Sequence, residues 1–240
     1  MRADVSYQLS VFGNFKTISP EPKTINKMMN LLKDYDMVPS VYQEGEINFS
    51  PANPDKLQST TVDRLSMISA TNDIKISFGV ERIDVTHEAK SIDNPLSKIE
   101  LPRLLEILNK AVNNLSFYRI AINTTTFFDK PNSDAIIKHS KSKIKYYDNF
   151  DEFFLRVNKR DEFIINDVEE ETNLILTSQK APEIIALNDK PFTLDNGWMI
   201  HFDINTIPEK TEDRFGIEEV STFISQASDM KEKIISDLVE

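Results

Sequence analysis

Three histidines, His87, His139 and His201, are the first residues whose type could carry chemistry. An imidazole held by a carboxylate can act as a general base. His201 and Asp203 have that spacing. In a strand from Trp198 to Asn205, Trp198, Ile200, Phe202 and Ile204 take one face, and Met199, His201, Asp203 and Asn205 the other. The pair then lies about 7 Å apart on a polar face. A solvated polar ladder has the same pattern, and no Gly-x-Ser-x-Gly elbow accompanies it. His87 shares a strand face with Ile83 and Val85, while Asp84, Thr86 and Glu88 point away, so a metal site would lack convergent donors there. His139 stands among lysines and reads as surface.

A second chemistry is metal-assisted hydrolysis, which needs clustered acids and a lysine to hold a divalent cation and place a water. Asp84, Glu88 and Lys90 supply the end of such a set, with Asp63 or Asp73 as the acid from a preceding strand. Glu-x-Lys triplets also arise by chance in a chain with 28% charged residues. The run Glu169-Glu170-Glu171 is expected in a turn, where it suits a cation, a basic partner or plain solvent. Lys138, Lys141, Lys143 and Lys145, followed by Tyr146-Tyr147, form the one basic patch, a pattern that can track single-stranded nucleic acid. The net charge of −11 opposes that use, because phosphate-backbone binders need positive faces.

The elements that must position these residues can be read from periodicity. The chain has 240 residues, 40% hydrophobic, so an ordinary core can form. Five glycines argue against glycine-rich phosphate loops, and zero cysteines remove disulfides, thiolate nucleophiles and Cys-based zinc sites. Neither an apolar leader nor a run near the roughly 20 residues of a membrane span is present. A cytoplasmic location is therefore expected, and the wealth of Lys, Ile and Asn hints at an AT-rich bacterial or phage genome.

Val5, Tyr7, Leu9 and Val11 alternate with Ser6, Gln8 and Ser10 as one half-buried strand. Ser19-Pro20-Glu21-Pro22 opens a helix carrying Ile25, Met28, Met29 and Leu32 as far as Asp34, and a strand over Met37 to Tyr42 follows it. Residues 44–59 read as a loop. Two strands, Val62–Ala70 and Ile74–Val85, are expected to pair through Thr71-Asn72-Asp73, with a β-bulge near Gly79 where the apolar phase changes. Leu101, Leu104, Leu105, Leu108, Val112 and Leu115 stripe a helix over 101–115.

A new strand starts after Phe117 and runs through Thr124-Thr125-Thr126. Residues 148–158 read as helical, with Phe150, Phe153, Phe154 and Val157 on one side, and strands follow at 162–168, 173–177 and 183–187. Asn196-Gly197 signals a hairpin between 192–195 and 198–205. A last helix over 217–238 buries Ile217, Val220, Phe223, Ile224, Ala227, Ile234 and Leu238. Its final two turns, from Lys231, are expected to be structural, because Met230 and Ile235 widen the apolar stripe.

Two similar successions of strand, helix, strands and helix suggest an α+β fold of two pseudo-repeated halves, 1–116 and 117–240. Each would be an antiparallel sheet covered by a long amphipathic helix, the two packed as one compact unit. The strand Arg119-Ile120-Ala121-Ile122-Asn123, directly after the leucine-striped helix, resembles that of a sporadically distributed bacterial family of unknown function. The likeness covers the element order of residues 1–125, although the second arginine and the glycine of the family strand are missing. It implies the architecture and adds no site residue.

These readings favour a non-enzymatic interaction protein: an inhibitor, an antitoxin-like partner or an assembly subunit, of the kind found in bacterial or phage conflict systems. It would need no cofactor. Its partner would be another protein with a basic surface, drawn by the acidic charge, or a second copy of the chain. The alternatives are a metal-dependent nuclease using Asp84, Glu88 and Lys90 with a divalent cation, a base pair of His201 and Asp203, or a small-ligand binder holding a nucleotide-like molecule between the halves.

Overall fold

The computed structural model describes residues 1–48, 58–96, 101–112, 115–129, 152–181, 184–187, 190–193 and 197–239. Among the described residues nine strands form one antiparallel sheet. In chain order they are β1 (Arg2–Phe12), β2 (Met37–Asn48), β3 (Gln58–Ser69), β4 (Ile74–Phe78), β5 (Arg82–Glu88), β6 (Arg119–Phe128), β7 (Phe154–Ile165), β8 (Val168–Lys180) and, after a separate hairpin of β9 (Ile184–Leu187) and β10 (Lys190–Thr193), β11 (Trp198–Thr206). Their spatial order is β2-β3-β4-β5-β1-β6-β11-β8-β7. Among the described residues three α-helices, α1 (Pro22–Leu31), α2 (Leu101–Val112) and α3 (Ile217–Val239), pack on one face, here the helix face. Among the described residues no helix is long and apolar enough to cross a membrane.

This corrects the expectation of two halves, each with its own sheet and long helix. β1 and β6 pair with each other along their length, from Arg2↔Phe128 to Phe12↔Arg119, so the sheet runs unbroken across residue 116. Only α3 is long. Of the helix expected over 101–115, α2 is described as far as Val112, and the Leu115 N–H bonds to Asn109 Oδ1 at 2.9 Å, a side chain in place of a helical carbonyl. Both helices bury their apolar stripes: Leu101, Leu104, Leu105 and Leu108 on α2, and Val220, Phe223, Ile224, Ala227 and Ile235 on α3.

Other differences have local causes. The apolar phase change near Gly79 is a chain reversal, not a bulge: β4 and β5 pair as a hairpin with Phe78 opposite Ile83, and the Gly79 N–H closes the turn on Arg82 O at 2.7 Å. β2 and β3 extend into residues read as loop, since they pair as far as Asn48↔Gln58. Residues 154–158, read as helical, belong to edge strand β7, while residues 148–151 and the lysine cluster 138–145 lie outside the described residues.

The turn expected at Glu169–Glu171 falls instead at Asn166-Asp167, whose φ angles of 49° and 62° are those of a hairpin turn with both central residues left-handed. Asn and Asp tolerate that region better than other side-chain-bearing residues. The expected strand over 162–168 therefore folds back on itself. β10 pairs with β9, and β11 with β6 and β8, so the Asn196-Gly197 signal does not join β10 to β11 as a hairpin. Gly197 is needed because the Phe127 ring fills the space a Cβ would occupy. Phe127 belongs to a second, smaller core on the far face, with Ala3, Val5, Ala89, Met199 and, from the β9–β10 hairpin, Ile185 and Leu187.

Candidate functional site

The far face carries the residues read as catalytic. Pairing sets Thr177, His201 and Thr125 side by side in one row, and Asp203 beside Asn123 in the next. His201 Nδ1 lies 3.0 Å from Thr125 Oγ1, and burial lowers the pKa of the imidazole. Asp203 accepts a hydrogen bond from Asn205 Nδ2 at 2.9 Å. Asn205 is buried, and its Oδ1 accepts from Arg119 Nη2 at 3.1 Å and Asn173 Nδ2 at 3.2 Å. The Arg119 guanidinium also stacks 4.8 Å from the centre of the Phe12 ring. His201 and Asp203 thus share a face, as their spacing requires, and each engages a different neighbour.

Asp84 and Glu88 also point to the far face, four residues apart on β5, which separates them by about 13 Å. Asp84 accepts from Ser10 Oγ at 2.5 Å and pairs with Arg82 at 2.8 Å. Lys90 pairs with Asp73, one of the two acids expected to complete the set, at 3.3 Å, and the Glu88 N–H bonds to the Asp73 carbonyl at 2.8 Å. Burial acts to raise the Asp73 carboxyl, but bonds from Thr71, Ser69 and Lys90 outweigh it and hold the pKa at about 2. Asp73 also shapes its turn, since Ser69 Oγ donates to it at 2.7 Å and receives its backbone N–H at 3.1 Å. Asp63, the other candidate acid, faces the opposite strand and takes a long bond from Gln43 at 3.5 Å. Among the described residues no three His, Asp or Glu side chains are grouped as metal ligands. His87 is half-buried on the helix face, opposite Tyr7, and His139 lies outside the described residues.

Two ionic clusters escaped the sequence reading. The first lies beneath α3. Lys231 is 2% exposed, with its ammonium 2.8 Å from Asp4 Oδ1 and 3.1 Å from the Tyr7 hydroxyl. The Tyr7 hydroxyl donates to Asp4 Oδ2 at 2.6 Å, and Thr126 Oγ1 to Asp4 Oδ1 at 2.6 Å. Arg2 caps the group from outside by a two-pronged pair with Glu232, at 2.7 and 2.5 Å. Strict alternation would put Asp4 on the far face, away from Tyr7. The β1–β6 register slips between Asp4 and Ser6, leaving Val5 as an extra residue, and this bulge turns Arg2 and Asp4 toward the helices.

Burial by itself would raise the Asp4 carboxyl; Lys231, Thr126 and Tyr7 together bring it below the ordinary value. Burial lowers Lys231, against the pull of Asp4, and raises the Tyr7 hydroxyl with help from its bond to Asp4. A signal was present: Lys231 stands four residues after Ala227 and four before Ile235, a lysine on the apolar stripe of α3.

The second cluster centres on Glu170, 4% exposed within β8. It receives Arg214 Nε at 3.0 Å and Lys210 Nζ at 3.2 Å. Arg214 also donates to the carbonyls of Tyr118 and Lys210, which fastens the segment between β11 and α3 to the sheet. The middle glutamate of a run read as solvated is thus the buried one, because β8 alternates and position 170 faces the helices.

No protein-family model matches the chain, and neither a curated protein nor a solved structure does.

Proposed function

We propose that the chain is a non-enzymatic interaction protein, an inhibitor, antitoxin-like partner or assembly subunit acting in the cytoplasm. One observation carries this reading: the nominated groups do not converge on one point, since Lys90 and Asp73 pair with each other while Asp84 lies about 13 Å along β5 from Glu88 and holds other neighbours. Asp84 holds Ser10 and Arg82, Lys90 holds Asp73, His201 holds Thr125, and Asp203 holds Asn205. Catalytic groups have to converge within hydrogen-bond reach of a common reacting atom. A broad sheet whose side chains are tied to one another is instead a stiff surface, and stiffness lowers the ordering cost of binding a partner protein.

The test is recovery of a stoichiometric partner from the native host together with direct assay of cleavage. The reading expects a partner that co-purifies at fixed ratio, and no cleavage of DNA or RNA with Mg²⁺ or Mn²⁺. Cation-dependent cleavage that disappears in Glu88→Ala would overturn it in favour of a nuclease. A thermal shift with a nucleotide, with no protein partner recovered, would overturn it in favour of a small-ligand binder.

A further inference from the structure

Among the described residues the sheet has two edges, β2 and β7. An edge strand offers unpaired N–H and C=O groups to any strand that reaches it, and proteins block their edges for that reason. β2 is interrupted by Pro39, which has no N–H, and by Gly45. β7, FLRVNKRDEFII, has neither residue type.

One end of β7 is blocked by other means. Ile165 and Val168 close the two-residue hairpin, so the odd-numbered residues of β7 bond to β8 and the even-numbered ones direct their backbone groups outward. At Ile164 the outward N–H goes to Gln226 Oε1 at 3.1 Å, and the outward carbonyl accepts from Gln226 Nε2, so one glutamine of α3 stands in for a tenth strand. At Glu162 the N–H goes to Asp161 Oδ1 at 3.0 Å. Among the described residues no side chain does the same for the outward N–H groups of Phe154, Arg156, Asn158 and Arg160.

The unblocked stretch coincides with two other features. Phe154 and Val157 are large apolar side chains left 66% and 48% exposed. Arg156, Lys159 and Arg160 are its only charges, whereas the acids Asp161 and Glu162 begin where the blockade begins. Lys159 and Arg160 make exposed ion pairs with Asp161 and Glu171, of the kind that exchange readily. Pairing with a second copy would set three cations against three.

We infer that residues 154–160 of β7 form a strand-addition site for an extended segment of a partner protein, one that alternates acidic and apolar residues. The inference rests on the interaction reading and names its surface. In this mode backbone bonds supply affinity and side-chain matching supplies selectivity. Arg156 and Arg160 lie on the far face with Phe154, and Leu155 and Val157 on the helix face with Lys159, so an alternating partner sets its acids against two cations on the far face and its apolar residues against Leu155 and Val157 on the other. Acidic charge over the whole chain favours basic proteins at long range; this edge has the opposite local sign.

The probe is a pair of end-blocked nine-residue peptides, one alternating glutamate and valine, the other lysine and valine, titrated into the ¹⁵N-labelled full chain. The glutamate peptide should shift amides confined to 154–160 and the facing part of β8. The lysine peptide should bind at least tenfold more weakly. Arg156→Glu with Lys159→Glu, both exposed, should reverse the preference while leaving the melting temperature unchanged. Absence of shifts at millimolar peptide, shifts centred elsewhere, or equal binding of both peptides would overturn the site. So would a concentration-dependent dimer protected from hydrogen exchange at 154–160. A native partner captured equally by the doubly substituted chain overturns this edge and leaves the interaction reading standing; cleavage activity overturns the reading itself.

Discussion

The two buried ionic clusters are built in opposite senses. Under α3 the cation is the buried member: Lys231 has 3% of its side chain exposed and one carboxylate, Asp4, itself 15% exposed. On β8 the acid is the buried member: Glu170 has 5% exposed and two cations, Arg214 at 18% and Lys210 at 45%. An ion already near water can be resolvated when its partner is lost, and an enclosed ion cannot. The Glu170 cluster also has a second cation in reserve. Among the described residues Lys231 makes no second ion pair, and Glu232 acts on it only at longer range. The first cluster fixes a long helix to the sheet through one enclosed cation, and the second ties down a connecting segment around one enclosed acid.

This contrast sets the order of expected effects. Lys231→Ala should cost the most, about 3–5 kcal/mol in denaturant unfolding, because it leaves the Asp4 charge beneath α3 without its counter-ion. Lys231→Met together with Asp4→Asn should recover much of that loss, since both charges leave together; a double variant no more stable than Lys231→Ala would show that the bond geometry, not the stranded charge, matters. Glu170→Gln should cost less, about 1–3 kcal/mol, because the amide still accepts one bond and both cations reach solvent. Lys210→Ala should cost only about 0–1 kcal/mol, the worth of a half-exposed ion pair with Arg214 still in place. If Lys210→Ala and Lys231→Ala cost the same, the distinction between the clusters fails.

Acid pH probes the same contrast with a definite sign. Asp4 has a folded pKa below its ordinary value, so on acidification the unfolded chain takes up this proton first. Its contribution is complete above the ordinary carboxylate range and is lost as pH falls through the lower, folded value. Urea unfolding across that window should show stability falling with pH, with a shallower fall in Asp4→Asn. An unchanged slope would mean that Asp4 is not held by Lys231 in solution.

Much of the strand and helix content was legible in the residues. Val5 to Val11, Arg119 to Thr126 and Trp198 to Asn205 alternate with the period of a strand, and the stripes of α2 and α3 repeat with the period of a helix. The failures cluster where an apolar period says nothing about chain direction. Ile74 to Val85 reads as one strand with a phase slip because a tight reversal changes the phase as a bulge would. Phe150, Phe153, Phe154 and Val157 fit a helix by spacing, yet 154–158 lie along β8 as an edge strand. The candidate site was legible only in part. His201 and Asp203 do share a face, but no spacing rule foretells that Asn205 and Thr125 would engage them.

The sequence by itself determined what depends on near neighbours: which residues alternate, which stripe a helix, where acid and base fall along the chain, and that cysteine chemistry is absent. Side chains two, three or four positions apart meet within one element, so their types already carry that information. Tertiary structure decided that β1 would pair with β6 and join the strands into one sheet, that a bulge at Val5 would turn Asp4 toward Lys231, and that Gln226 would satisfy the outward backbone groups of Ile164. Those outcomes join residues more than 60 positions apart, as in Asp4 to Lys231 and Ile164 to Gln226. Such contacts form only when whole elements settle against one another to bury a shared core, and no local pattern records which element will lie beside which.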